Sequence, residues 1–176
     1  EQVLVGRGSD EAIDLLTRVF CRAGQDAVLV CPPTFGMYAV AARIQGADVV
    51  TVPLRKDAGF ALDEAAVLAA ARPGVRLVYL CSPNNPTGNL LDADAIVRIA
   101  RALAGRALVV VDEAYIEFAD RPSAIPRIAD LPNLVVLRTL SKAHGLAGAR
   151  CGTVIANAEI IALLHKVIPP YAITQL

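Results

Sequence analysis

Hydrophobic and polar positions alternate between two patterns along the chain. Short apolar runs are separated by longer segments in which apolar residues recur at helical spacing. The apolar runs predict seven strands, over residues 2–5, 27–31, 48–54, 76–82, 107–115, 133–140 and 150–156. The amphipathic segments predict five helices, over residues 9–23, 34–46, 62–71, 92–103 and 158–168. Ser9, followed by acidic residues, is expected to be the N-cap of the first helix.

Strand and helix alternate along most of the sequence, and several strands are continuously apolar. This pattern is typical of a mostly parallel sheet with helices on both faces, a three-layer α/β/α fold. The strands at 133–140 and 150–156 lack a full helix between them. One antiparallel strand is therefore expected near the end of the chain.

Composition narrows the class of protein. The chain has 176 residues, of which 55% are hydrophobic, so a single domain can bury a large core. Seventeen basic and seventeen acidic residues cancel, and neither nucleic acid nor an anionic membrane is an expected partner. The apolar runs are far shorter than the roughly 20 residues of a membrane-spanning helix, and the first residues do not resemble a signal peptide.

The cysteines and histidines do not predict a metal site. No two of the four cysteines have C-x-x-C spacing, and the two histidines do not form a ligand cluster. We expect buried free thiols, as in a cytoplasmic protein, since disulfides are rare in a reducing compartment.

Polar clusters stand at the ends of the predicted strands. "SPNNPTG" follows the strand at 76–82, "DEAY" closes the strand at 107–115, and "TLSK" follows the strand at 133–140. "GRGSDE" lies between the first strand and the first helix. Because ligands of open α/β sheets bind beyond the carboxyl ends of the strands, these clusters predict one site.

Three other motif interpretations fit less well. "GRGSDE" resembles a dinucleotide-binding fingerprint, but Glu11 replaces its third glycine. No G-x-x-x-x-G-K-[ST] motif accompanies the acidic strand end "VVVDEAY", which argues against a nucleotide hydrolase. Ser141 and Lys142 could form a hydrolase dyad, but the glycine pattern of a nucleophile elbow is missing.

Pyridoxal phosphate chemistry uses all of these clusters. The cofactor needs an amine that forms an imine, which lysine supplies and arginine does not, and Lys142 is the candidate. It needs a carboxylate beside the pyridine nitrogen, for which Asp112 stands at a strand end. Asn85 and Tyr115 could donate to the phenolic oxygen, and Phe35 could stack on the ring.

The cofactor's phosphate needs amide groups, hydroxyls and a cation. The candidates are Ser9, Asp10, Thr139, Ser141 and Arg150. Taken singly, each candidate also fits a structural role: N-P-T-G is ordinary turn chemistry, a phenylalanine is commonly a core residue, and an arginine is commonly a surface residue. The joint pattern carries the prediction.

Longer motifs add a family resemblance. "CPPTFGMY", "CSPNNPTGN", "VVVDEAYIEF" and "LPNLVVLRTLSKAHGLAGARCG" together resemble the fold-type I pyridoxal-phosphate aminotransferases, and among them the histidinol-phosphate aminotransferases most closely. The resemblance covers essentially the whole chain. It implies that Lys142 carries the cofactor and moves a proton, that Asp112 pairs with the ring nitrogen, and that Arg150 binds the phosphate. It also implies that Asn85 and Tyr115 contact the ring hydroxyl and that Phe35 stacks on the ring. The remaining candidates lie at the phosphate: Ser9, Asp10, Thr139 and Ser141.

The resemblance also implies a reaction and its partners. The expected activity is transamination between histidinol phosphate and 2-oxoglutarate or glutamate in histidine biosynthesis, by a homodimer. An aromatic amino-acid aminotransferase or a related decarboxylase on the same scaffold stays an alternative, and so does an inactive, truncated binding module. Residues 1–176 are expected to be the cofactor-binding large domain, without the amino-terminal arm and the small domain of such enzymes. On its own, this segment is expected to be weakly active or inactive.

Overall fold

A seven-stranded sheet lies at the centre of the fold. The computed structural model describes residues 1–173. All seven predicted strands are present, as β1 (Val3–Gly6), β2 (Ala27–Val30), β3 (Asp48–Thr51), β4 (Val75–Cys81), β5 (Leu108–Asp112), β6 (Leu134–Thr139) and β7 (Gly152–Ile155). Their order in the sheet is β1-β7-β6-β5-β4-β2-β3. The predicted strand at 107–115 is too long, because β5 ends at Asp112.

The five predicted helices are also present, with shorter bounds. They are α1 (Gly8–Phe20), α2 (Met37–Gln45), α3 (Glu64–Ala70), α4 (Ala93–Ala102) and α5 (Ala158–His165). The prediction that Ser9 is the N-cap of the first helix is wrong. Helix α1 begins at Gly8, Arg7 occupies the N-cap position, and no side chain caps it within the described residues. The Glu11 carboxylate instead turns back and accepts a 2.7 Å hydrogen bond from the Arg7 backbone N–H.

The single antiparallel strand predicted near the end of the chain is β7. It runs antiparallel to both of its neighbours, β1 and β6, whereas the other neighbouring strands pair in parallel. The segment between β6 and β7 contains only the short 3-10 turn Ala147–Ala149. A parallel connection usually passes through a full helix, which this segment lacks, and the chain returns antiparallel.

The core lies on both faces of the sheet, which confirms the three-layer α/β/α architecture. One face packs against α1, α2 and α5, and the other packs against α3 and α4. Successive residues of β4 point to opposite faces, since Tyr79 belongs to the first cluster and Val78 and Leu80 belong to the second. This double burial explains why the central strands are continuously apolar.

The cysteines are free thiols. Burial raises the pKa of Cys21, Cys31 and Cys81 to about 12, so these thiols are un-ionised at neutral pH. Within residues 1–173, no group of three histidine, cysteine or acidic side chains is arranged to hold a metal ion. In the same range, no helix is both long and apolar enough to cross a bilayer.

Helix α1 and strand β7 approach each other through two glycines. A Cβ on Gly152 would lie 2.5 Å from the carbonyl carbon of Gly8 and 2.7 Å from the Ser9 nitrogen. Gly8 itself has a φ of +84°, and a Cβ there would lie 2.7 Å from a guanidinium nitrogen of Arg150. Only glycine fits at either position. The contact sets the amino end of α1 beside Arg150.

We expect Gly152→Ala to destabilise the fold by about 3 kcal/mol, because the new methyl group would overlap rigid backbone. Urea-induced unfolding followed by circular dichroism measures the change. Gly36→Ala is the matched control, since a Cβ at Gly36 meets no atom within 4 Å. A Gly152→Ala variant as stable as the Gly36→Ala variant would show that the close approach is not needed.

Candidate active site

A cleft opens at the carboxyl ends of β4, β5 and β6. All ten side chains predicted from the sequence line it, together with Cys81 and Ala114, which the prediction missed. The lining residues are Ser9, Asp10, Phe35, Cys81, Asn85, Asp112, Ala114, Tyr115, Thr139, Ser141, Lys142 and Arg150.

Asp112 ends β5 next to Cys81 on β4 and is 2% exposed. One carboxylate oxygen accepts a 3.0 Å hydrogen bond from the Ala114 backbone N–H, and the other accepts a 2.7 Å bond from the Tyr38 hydroxyl. Burial raises the pKa of Asp112, while these two hydrogen bonds act in the opposite direction. Among the described residues no cationic side chain pairs with it. The carboxylate therefore lies buried in the cleft without a positive partner.

The sequence prediction did not include Tyr38. The side chain is fully buried, and its ring stacks on Tyr79 with centroids 4.6 Å apart and planes at 5°. Phe35 contacts it edge-on at 5.6 Å. Tyr38 lies in the first turn of α2, and Phe35 lies just before the helix. Their spacing of three residues, within the helix predicted over residues 34–46, could have placed both rings on one side.

Lys142 reaches the cleft from the loop after β6. Two backbone hydrogen bonds close this loop, from Gly145 N–H to the Lys142 carbonyl and from Leu146 N–H to the Leu140 carbonyl, each 3.0 Å long. The Lys142 Nζ lies 5.3 Å from the centroid of the Tyr115 ring, a cation–π contact. Strands β5 and β6 are parallel neighbours. The lysine amine and the Asp112 carboxylate therefore face the same cleft from adjacent strands.

The other end of the cleft is built for an anion. Arg150 has a φ of +47°, and one Nη atom lies 3.7 Å from the Asp10 carboxylate and 3.5 Å from the Arg7 carbonyl. The amide groups of the uncapped first turn of α1 lie beside it and carry the positive end of the helix dipole. The hydroxyls of Thr139 and Ser141 are 3.0 Å apart on the same wall.

A braced turn holds Asn85. The neighbouring Asn84 is buried, donates to the Pro33 carbonyl at 2.8 Å, and accepts from the Thr34 hydroxyl at 2.9 Å. It also donates to the Thr87 hydroxyl. These bonds fix the turn against the segment before α2, and Asn85 and Tyr115 then line the cleft. The sequence "NNPTG" predicts the turn but does not distinguish the bracing asparagine from the one in the cleft.

Known proteins share this arrangement of sequence and fold. A family model for aminotransferase class I and II matches residues 1–176. The histidinol-phosphate aminotransferase of Xanthomonas euvesicatoria pv. vesicatoria is 58% identical over 175 residues, which cover 98% of this chain and 48% of that protein. The chain thus spans about half the length of the curated relatives it matches.

Solved structures agree. The histidinol-phosphate aminotransferase of Sinorhizobium meliloti in complex with pyridoxal-5′-phosphate superposes with a TM-score of 0.86 at 31% identity, over 98% of this chain and 46% of that one. The aspartate aminotransferase of Thermus thermophilus with maleate gives a TM-score of 0.86 at 26% identity, over 94% and 44%. Aminotransferases named for two different substrates, histidinol phosphate and aspartate, therefore share this fold.

In the cofactor-free protein, we expect Asp112→Asn to increase stability at neutral pH. Because the folded pKa of Asp112 lies above its unfolded value of about 3.9, the folded state holds the proton more tightly. Its contribution is therefore favourable in acid and is lost as the pH rises through the folded pKa. Urea denaturation between mildly acidic and neutral pH measures this, and the variant should show a flatter dependence on pH.

Asp26→Asn is the opposite control. Hydrogen bonds from Arg22 lower the pKa of this buried carboxyl to about 2, so it stabilises the fold at neutral pH and loses that contribution only as the pH falls toward about 2. Its replacement should destabilise the protein at neutral pH. If both asparagine variants were destabilised there to the same extent, Asp112 would not be an uncompensated charge.

Proposed function

The chain belongs to the aminotransferase class I and II family, and from this premise we propose that the protein containing it is a pyridoxal-phosphate-dependent aminotransferase acting on histidinol phosphate. 2-Oxoglutarate is the proposed amino acceptor. Both substrates are small molecules, and the reaction belongs to histidine biosynthesis. The names of the most similar curated relatives support the substrate.

One observation carries the proposal: a lysine amine and a buried carboxylate, which has no cationic partner within residues 1–173, face the same cleft next to an anion-binding end. These groups fit the cofactor. The phosphate suits the α1 amides and Arg150, the primary amine suits the aldehyde, and a protonated ring nitrogen would give Asp112 its missing positive partner. The flat ring suits Phe35.

When bound, pyridoxal phosphate supplies an electron sink that stabilises negative charge at the α-carbon of an amino acid. The chain's residues bind and orient the reactants. Lys142 Nζ would hold the cofactor, and the same amine would accept the proton from the substrate's α-carbon. Asp112 would keep the ring nitrogen protonated, because a negative charge beside the nitrogen favours its positively charged form.

The other candidates orient the ring and its phosphate. We assign Asn85 and Tyr115 to the phenolic oxygen as hydrogen-bond donors. Arg150 and the backbone amides of Ser9 and Asp10 would hold the phosphate, together with the hydroxyls of Thr139 and Ser141. Fixing the phosphate and the ring at several points lets binding energy orient the bond to be broken.

Residues 1–176 are, in this proposal, the cofactor-binding large domain of a longer enzyme, since the curated relatives are about twice as long. A homodimer and a location in the cytoplasm belong to the same proposal, and their support is the family resemblance. An aromatic amino-acid aminotransferase is the second candidate, because the fold is shared by aminotransferases with other substrates.

We expect borohydride reduction of the full-length protein with pyridoxal phosphate, followed by peptide mapping, to place the cofactor on Lys142. Reduction makes the link between the lysine and the cofactor permanent. Lys142→Arg should remove the labelled peptide and lower turnover by a factor of at least about 10⁴, because a guanidinium keeps the charge but cannot form the imine. Lys56→Arg is the matched control, at a lysine outside the cleft. A labelled peptide that does not contain Lys142, or no labelled peptide, would contradict the enzyme proposal and favour the inactive binding module.

Steady-state kinetics of the full-length protein distinguish the two substrates. We expect kcat/KM for histidinol phosphate to exceed that for phenylalanine by a factor of about 100 or more, since a site that pairs a substrate's polar groups strongly rejects an analogue without them. A higher kcat/KM for phenylalanine would favour the aromatic aminotransferase and leave the cofactor assignment intact.

A further inference from the structure

Tyr38 is the only side chain in the described range that hydrogen-bonds the carboxylate of Asp112. The bond is 2.7 Å long, and the donor is fully buried. Tyr38 closes the motif "CPPTFGMY", but it is not among the ten candidate site residues, and none of the nine other than Asp112 itself donates a side-chain hydrogen bond to Asp112. The Tyr38 hydroxyl is buried from solvent, so water does not compete for this hydrogen bond.

The ring of Tyr38 is fixed from two sides. It stacks on Tyr79 on one face, at 4.6 Å, and meets Phe35 edge-on at 5.6 Å. Tyr79 is itself buried in β4, and its hydroxyl turns away from Asp112 to donate to the Ile13 carbonyl at 3.3 Å. A donor held by packing in this way has little freedom to leave its acceptor.

A hydrogen bond donated to a carboxylate stabilises its ionised form. An ionised Asp112 leaves the proton on the ring nitrogen of a bound pyridine, whereas a more basic carboxylate takes that proton for itself. The donor therefore acts on the cofactor through Asp112 and does not touch it.

Building on the proposed function, we propose that Tyr38 is a positioning residue that holds the Asp112 carboxylate ionised and oriented toward the ring nitrogen of pyridoxal phosphate. The packing of Tyr38 on Tyr79 sets the donor's direction. Tyr38 therefore affects the cofactor site through Asp112, without contacting the cofactor.

Tyr38→Phe in the full-length protein tests this, since it removes one oxygen and keeps the stacked ring. The first measurement is the NMR chemical shift of the isotope-labelled pyridine nitrogen of the bound cofactor. We expect it to move toward the value of an unprotonated pyridine. We also expect the Kd for the cofactor to rise about tenfold or more, as for a lost hydrogen bond to a charged group, and kcat to fall with KM changed far less.

Tyr79→Phe is the matched control. It removes a hydroxyl from the other ring of the stacked pair, which does not contact Asp112. Its melting temperature reports the cost of losing a buried hydroxyl, and its nitrogen shift should equal that of the unaltered protein. If Tyr38→Phe gave the same nitrogen shift as Tyr79→Phe, Tyr38 would have only a structural role and the inference would be wrong.

A comparison of two further variants covers the case in which Tyr38→Phe alone does not fold. Asp112→Asn and Tyr38→Phe/Asp112→Asn remove the buried charge, so neither leaves a carboxylate without its donor. The two should have equal Kd for the cofactor. A tenfold weaker Kd in the double variant would show that Tyr38 acts independently of Asp112, which overturns the inference. If the unaltered protein does not bind pyridoxal phosphate on Lys142, the proposed function fails, and the inference fails with it.

Discussion

The close approach of Gly8 to Gly152 is the constraint on which the site depends. Without a Cβ on either residue, the amino end of α1 packs directly on β7. Strand β7 is hydrogen-bonded to β6 from Val136 to Thr139, and the loop that carries Lys142 follows β6. The α1 amides, Arg150 and Lys142 are therefore held on one rigid frame. A displacement of β7 by the width of a methyl group would separate the anion-binding end from the amine.

Two buried aspartates show how a functional carboxylate differs from a structural one. Asp26 is 3% exposed, but Arg22 and its backbone N–H satisfy the carboxylate, and its pKa falls to about 2. Asp112 is equally buried and has two neutral donors, and its pKa is raised. The charge of the Asp26 carboxylate is compensated within the folded chain. The Asp112 carboxylate has no positively charged partner in the part of the chain that the structure describes, and a buried carboxylate of this kind in a cleft indicates a ligand site.

Much of the fold was predictable because burial on both faces produces continuous apolar strands, as in "RLVYLCS" and "ALVVV". The candidate residues could be grouped since parallel strands bring their carboxyl ends to one edge. Ser9 failed as an N-cap because Gly8 adopts a positive φ and begins the helix one residue earlier, which is a tertiary effect of its contact with Gly152. Tyr38 was missed for a similar reason. Its partner Asp112 lies 74 residues away in sequence, and no local pattern reveals such a pair.

Asp112 and Glu113 are neighbours in sequence, but their carboxylates have different surroundings. Strand alternation sends adjacent side chains to opposite faces. Glu113 therefore turns from the cleft to Ser123 and the Ala124 backbone, where it ties down the following loop. Burial raises the pKa of both carboxyls.

Helix α1 connects the two ends of the cleft. Its first turn provides backbone amides beside Arg150. Further along the same helix, the Ile13 carbonyl accepts a hydrogen bond from the Tyr79 hydroxyl. Tyr79 supports Tyr38, and Tyr38 holds Asp112. The anion-binding end and the buried carboxylate are therefore linked through α1, β4 and α2. The shape of the cleft is thus set by folding, before any ligand enters. The cost of ordering its walls is part of the free energy of folding and not of binding.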